Sequence, residues 1–241
     1  SGDLSGTDNT TTITMDSNKT ITATFVAQTP STGWTAYNDC IYRSSDQYIG
    51  ANVTTFGIGS GFTGSTSGEL LDQATGNPTG VTVTLTQSGG VVWQADPFYG
   101  GHDTAVGTDA YNTFHGIADM TGVIYYGSAG WYVDLTFTGL DPSKQYTFAT
   151  SAARSNSTYT DRISIYTLSG ADTYTQASTP GVTVNAPNEV QFCTGDNNNT
   201  GYVARWTGIT AADGSFTVRA KATASQNKAY AFDVFMLQEQ S

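Results

Sequence analysis

Residues 130–140 read GWYVDLTFTGL, a strand's worth of side chains bounded by two glycines. Successive side chains of a strand point to opposite faces, so Trp131, Val133, Leu135 and Phe137 share one face and Tyr132, Asp134 and Thr136 the other. The first set, with Trp131 and Phe137 foremost, is assigned to a core. Similar runs follow in GVTVTLTQS (80–88), KQYTFATSAA (144–153), DRISIYTL (161–168), GVTVN (181–185), GSFTVRAKAT (214–223) and KAYAFDVFML (228–237). Gly, Asn, Asp and Pro break them apart, and no helical period intervenes. Strands at this spacing predict an all-β, antiparallel β-sandwich of jelly-roll type from residue 35 to 241. In DRISIYTL, Ile163 and Ile165 are expected to point inward, sending Arg162, Ser164 and Tyr166 outward. AYAFDVFML is apolar on both faces and is expected to be central or covered on each side.

Composition agrees with that reading. Thr, Gly, Ser and Tyr are abundant while Lys, Arg, Glu and Leu are scarce, so almost no helix is expected. The net charge of −11 comes from seventeen aspartates and only three glutamates, Glu69, Glu189 and Glu239. Asp forms turns and is a hard oxygen ligand, which suits a loop-rich protein that holds calcium. A surface this acidic excludes nucleic acid and anionic membranes as natural partners, because both need clustered Lys and Arg. No apolar run approaches the about 18 residues that insertion into a membrane requires. Cys40 and Cys193 lie 153 residues apart and form either one long-range disulfide or two free thiols. No CxxC is present, hence no zinc or redox signature.

The first 27 residues, SGDLSGTDNTTTITMDSNKTITATFVA, place two short alternating strands around Asp16-Ser17-Asn18, the pattern of a β-hairpin. This wording resembles the closing hairpin of an internalin B-type repeat. The resemblance implies a secreted or surface-displayed modular bacterial protein in which this chain is attached to other domains. Residues 28–34, QTPSTGW, read as a linker that includes Trp34.

TGLDPSKQYTFATSAAR (138–154), YTDRISIYTLSGAD (159–172) and ITAADGSFTVRAKA…AYAFDVFMLQ (209–238) carry a Gly-Leu-Asp-Pro turn before a Tyr-Thr-Phe strand, an Arg after it, and an Asp inside the last strand. They resemble galactose-binding-like or jelly-roll carbohydrate-binding modules of secreted bacterial polysaccharide-acting proteins, over about the last 110 residues. The resemblance implies a structural calcium between an early strand and the last one, here Asn38 or Asp39 with Asp233. A carboxylate among Phe232, Val234 and Phe235 needs a partner, and calcium, an Arg or backbone amides would each supply one.

The chemistry on display favours binding over turnover. Three scattered glutamates are poor material for glycoside hydrolysis, and Asp103 with Asp109 form the remaining carboxylate pair. GIGSGF is not a GxSxG elbow. A lyase reading would use His102 or His115, Tyr99 or Tyr111, with Arg154 and Arg162 neutralising a uronate. His102 and His115 with Asp103 or Asp109 also suit a metal in residue type, although their spacing has no specificity. TGDNNNTGY (194–202) lacks the EF-hand order and reads as an Asn-rich turn.

Sugar binding needs aromatic faces for C–H stacking and polar groups for hydroxyls. Trp93, Tyr99, Tyr111, Tyr125, Tyr126, Tyr159 and Trp206 lie near expected loops or strand ends, close to His102, Asp103, Asp109, Arg154 and Arg162. GGHDTAVGTDAYNTFHG (100–116) sits in a connection of about 30 residues, a length that marks functional or disordered loops. It is expected to form a rim of the binding surface. The sequence therefore points to a non-catalytic carbohydrate-binding module, secreted or at the cell surface, for a polysaccharide or oligosaccharide. A polysaccharide lyase or hydrolase domain and a structural or adhesive spacer are the other readings.

Overall fold

A computed structural model describes residues 33–41, 49–58, 64–88, 94–96, 104–121, 123–126, 130–156, 158–223 and 228–241. Residues 1–32, with the hairpin and most of the linker, lie outside them. Fifteen strands are present among the described residues: β1 (Thr35–Asp39), β2 (Ser67–Leu71), β3 (Pro78–Gln87), β4 (Gln94–Asp96), β5 (Val123–Tyr126), β6 (Tyr132–Thr138), β7 (Gln145–Ser151), β8 (Ile163–Ser169), β9 (Thr173–Gln176), β10 (Thr183–Ala186), β11 (Glu189–Cys193), β12 (Ala204–Thr210), β13 (Ser215–Ala222), β14 (Ala229–Tyr230) and β15 (Val234–Gln240). Two short helices join them, α1 (Asp109–Phe114) and α2 (Asn197–Thr200).

The strands form a β-sandwich of antiparallel sheets. One sheet runs β1-β15-β7-β12-β9, the other β10-β11-β8-β13-β6-β3-β2, and β14-β5-β4 make a small third sheet. The core lies between the two large sheets. Leu237, Phe148 and Trp206 occupy one row of the five-stranded sheet. They meet Val133, Leu135 and Phe137 of β6, all fully buried. Phe137 sits 5.0–5.6 Å from the rings of Phe148, Phe216 and Phe235. Burying one such side chain contributes roughly 1.5–3 kcal/mol, so this knot is a main source of cohesion.

β6 packs as its alternation requires. β8 does not: Tyr166 and Ser164 are fully buried, while Ile163 and Ile165 are only half-buried on the outer face. The inward assignment of the two isoleucines is therefore corrected. Tyr166 donates its hydroxyl to Ala231 O at 2.7 Å and stacks on Phe192 at 5.2 Å, which a core tyrosine can do without an unpaired polar atom. Ser164 Oγ bonds Thr194 Oγ1 and Tyr230 O, so its small polar side chain is satisfied inside.

The outer face of the five-stranded sheet is covered by chain rather than solvent. Tyr37, Met236, Ala149 and Arg205 form one row across β1, β15, β7 and β12. Ala110, Phe114, Ala118 and Met120 pack over that row with Val203 and Val234. α1 thus lies inside the connection read as a rim loop. Thr108 caps it, and Ala110 and Phe114, four residues apart, form its buried stripe.

Trp34, placed in the linker by sequence, packs against this body. Its carbonyl accepts from Glu239 N at 2.9 Å, and its ring lies 6.1 Å from Tyr146. Trp206 is buried core, with Nε1 donating to Pro187 O, and is not a surface ring. Cys40 and Cys193 are free thiols, the first buried.

Candidate functional site

Of the residues singled out for sugar contact, three come together. Arg154 and Arg162 both lie over the ring of Tyr159, at 5.8 and 4.8 Å from its centroid, within cation–π range. They belong to the connection from β7 to β8, whose backbone is anchored on Thr194 and Gly195. Arg154 N donates to Thr194 O at 2.7 Å, Thr194 N to Arg162 O at 2.8 Å, and Asn156 N to Gly195 O at 3.2 Å. A Cβ at residue 195 would strike Tyr159 O, so only glycine lets the loop approach this closely. The Cys193 thiol donates to the same carbonyl at 3.2 Å.

Tyr230 completes the cluster from β14. Burial raises its phenol to about 12, against the opposing pull of the Arg154 and Arg162 charges and a hydrogen bond from Arg154. It stays protonated at neutral pH, which suits a fixed donor or acceptor and not a base. Asp161 lies 3.4 Å from Arg162 Nε and is more than half exposed, so it tethers the guanidinium only loosely. The loop thus presents two cations and one ring in an otherwise acidic protein.

The other candidates fall elsewhere. Asp109 is bound by Arg205 and by Thr179 Oγ1 at 2.7 Å, on the side of the five-stranded sheet covered by α1. Burial would raise its carboxyl, but the Arg205 and Thr179 hydrogen bonds outweigh that and hold it below the usual range. Tyr111 stacks on His115 at 4.1 Å. Tyr125 and Tyr126 lie on β5, paired through the backbone with Tyr230 and Ala229. Trp93, Tyr99, His102 and Asp103 lie outside the described residues.

The carboxylates assigned to calcium meet at the joint of β1 and β15. Asp39 pairs in register with Val234, and Cys40 N donates to Asp233 O at 2.8 Å. Asp39 and Asp233 are both fully buried. Asp39 Oδ1 accepts from Ile41 N, and Asp233 Oδ2 from Ala153 N at 2.6 Å. Asp233 Oδ1 is buried without a hydrogen-bond partner among the described residues. Burial raises the Asp233 carboxyl well above its ordinary value; the Ala153 bond opposes this, and the charges of Asp39 and Asp119 add to it. Asn38 is spent on structure: its Oδ1 accepts from Phe56 N and Thr54 Oγ1, and its Nδ2 donates to Phe56 O. Asp39 and Asp233 bring two buried carboxyl groups to this joint, whereas the Asn38 side chain is already fully engaged. Among the described residues no three His, Cys, Asp or Glu side chains are arranged as a metal-holding group.

Sequence reasoning missed Thr194, Gly195 and Tyr230, which build the Arg154–Tyr159–Arg162 loop, and Asp119, which joins the buried acids. In the sequence Thr194-Gly195 opens TGDNNNTGY and reads as the start of an ordinary Asn-rich turn. No family model, curated protein or solved structure matches the chain. No helix among the described residues is long and apolar enough to cross a membrane.

Proposed function

We propose that this chain is a non-catalytic carbohydrate-binding module of a secreted or surface-displayed modular bacterial protein, and that it grips its glycan at the β7–β8 loop. The observation that carries the reading is the convergence of Arg154 and Arg162 on the ring of Tyr159. An aromatic flanked by guanidinium groups offers what a pyranose needs: a surface for C–H contact beside donors for hydroxyl oxygens. Calcium held by Asp39 and Asp233 is a second element of the proposal, supported by the buried Asp233 Oδ1, which has no hydrogen-bond partner among the described residues. It would stiffen the joint from which the loop departs, since Asp233 Oδ2 also holds Ala153 N beside Arg154.

Affinity electrophoresis of the whole chain against a panel of neutral and acidic polysaccharides tests this, with the ultraviolet absorbance of unsaturated products followed in parallel. Retention by one glycan without product, weakened about tenfold by Tyr159→Ala, is the expected result. Product formation would make the domain a lyase, and no retention across the panel would make it a spacer.

A further inference from the structure

The outer face of the seven-stranded sheet carries a feature that the loop does not explain. A pocket of about 330 Å³ opens there over β6, β13 and β8, within the roughly 300–1,000 Å³ range of small-molecule sites. Tyr132, Lys221 and Ile165 form one transverse row beneath it, because Lys221 pairs in register with both of the others. Asp134, Arg219 and Thr167 form the next row. The lining holds Tyr132, Ile165, Arg219, Lys221 and Thr223, and includes two cations and no acid.

Each cation has a carboxylate neighbour, so the direction in which the charges face decides what the pocket attracts. Asp134 takes Arg219 Nε and Nη2 at 2.7 Å each, but its side chain is 13% exposed against 43% for Arg219. Glu189 lies 3.5 Å from Lys221, at 23% exposure against 40%. The acids lie under the cations. The guanidinium also lies over the Tyr132 ring, its carbon 3.8 Å from the centroid, and the forked bonds to Asp134 hold its plane. Among the described residues its third nitrogen, Nη1, makes no hydrogen bond, and Lys221 makes only the 3.5 Å contact to Glu189. An anion arriving from solvent therefore meets nitrogen first, next to the apolar side of Ile165.

We propose that this pocket is a second saccharide site, separate from the β7–β8 loop, and that it takes a sugar unit bearing a carboxylate, a uronic acid. The carboxylate docks between Arg219 Nη1 and Lys221 Nζ, and the C–H face of the pyranose lies on Ile165. The charged contact supplies selectivity over neutral sugars, because a hydrogen bond to an ion is about twice as strong as one between neutral groups. The site stands on its own residues and holds whether or not the loop binds glycan.

Backbone amide NMR of the whole chain with three probes decides it: galacturonate, galactose with the same ring and no carboxylate, and acetate with the carboxylate and no ring. Galacturonate is expected to shift the amides of Tyr132, Ile165, Arg219 and Lys221 in a saturable way, with galactose and acetate at least tenfold weaker there. Lys221→Gln should weaken galacturonate about tenfold while leaving the melting temperature in place, because Glu189 keeps its bonds from Thr167 and Asn185. Equal shifts from galactose or from acetate would overturn the uronate assignment. Shifts confined to residues 154–162, or none at all, would overturn the pocket, the former while supporting the loop.

Discussion

Arg205 on β12 grips Asp109 at the head of α1 through two nearly parallel hydrogen bonds of 2.8 and 2.9 Å, joining positions 96 residues apart. The same guanidinium reaches Thr113 at 2.9 Å, so one side chain fastens both ends of the helix to the sheet. Each partner is about one-fifth exposed, which places the pair between a surface bridge and a buried one.

Arg205→Ala should cost about 2 kcal/mol, or about 6 °C in melting temperature for a chain of this size. Arg205→Lys should recover only part, since an ammonium cannot make the forked contact. Asp109 is held below its ordinary value when folded, so its contribution is present above the unfolded value and is lost as pH falls through the folded one. Thermal melts below about pH 4 should therefore converge for wild type and Arg205→Ala. A gap that stays constant into acid would remove the ion pair as the cause.

β6 was legible because its apolar and polar residues separate cleanly onto two faces. β8 was not, since Ile-Ser-Ile-Tyr-Thr-Leu places bulky residues on both, and a one-residue slip exchanges them. What decided its register were hydroxyl partners far away in sequence, Ala231 and Tyr230. The same limit hid the site. Arg154, Tyr159 and Arg162 were visible as residue types, but the Thr194-Gly195 shelf that assembles them is a long-range pairing. α1 left a local trace in Thr108 followed by Ala110 and Phe114, masked by the polar residues around it.

Paired substitutions check the β8 register. Tyr166→Ser removes a fully buried ring and its bond to Ala231, and should cost about 3–5 kcal/mol. Ile165→Ser alters a half-buried residue on the outer face and should cost about 1 kcal/mol or less in urea unfolding. Equal costs would mean that both faces of β8 are equally enclosed.

Gly195→Ala links the fold to the proposed binding loop. The new methyl group would meet Tyr159 O and the Arg162 Cβ, so the 156–162 turn must shift. The core beneath it is untouched. The expected outcome is glycan affinity reduced about tenfold with a melting temperature lowered by only a few degrees. A large loss of stability with affinity retained would separate the loop from binding.

Alkaline titration reports on the buried phenols. Burial pushes Tyr146 and Tyr230 up to about 12, while an exposed tyrosine ionises near 10. Their folded values are raised, so the stability they provide is intact below about pH 10 and is lost as pH rises towards 12. Tyrosinate absorbance should rise first for the exposed rings, then in a second step that coincides with loss of the near-ultraviolet circular dichroism. A single step near pH 10 with the fold intact would place these phenols in water.

Calcium removal addresses the joint of β1 and β15. Asp39 at the end of β1 and Asp233 just before β15 are both fully buried, and burial first, then the charges of Asp39 and Asp119, raises the Asp233 carboxyl well above its ordinary value, so a bound cation would favour its charged form. A ligand present at 100 times its dissociation constant stabilises by about 2.7 kcal/mol, so chelation should lower the melting temperature by roughly 5–10 °C at neutral pH, reversibly on adding calcium. Asp233→Asn retains an oxygen for Ala153 N and removes the charge. Its melting temperature should not respond to chelator, and it should fall between the two wild-type states. If wild type itself ignores chelation, calcium is not held at this joint, and Asp233→Asn should then be neutral or stabilising.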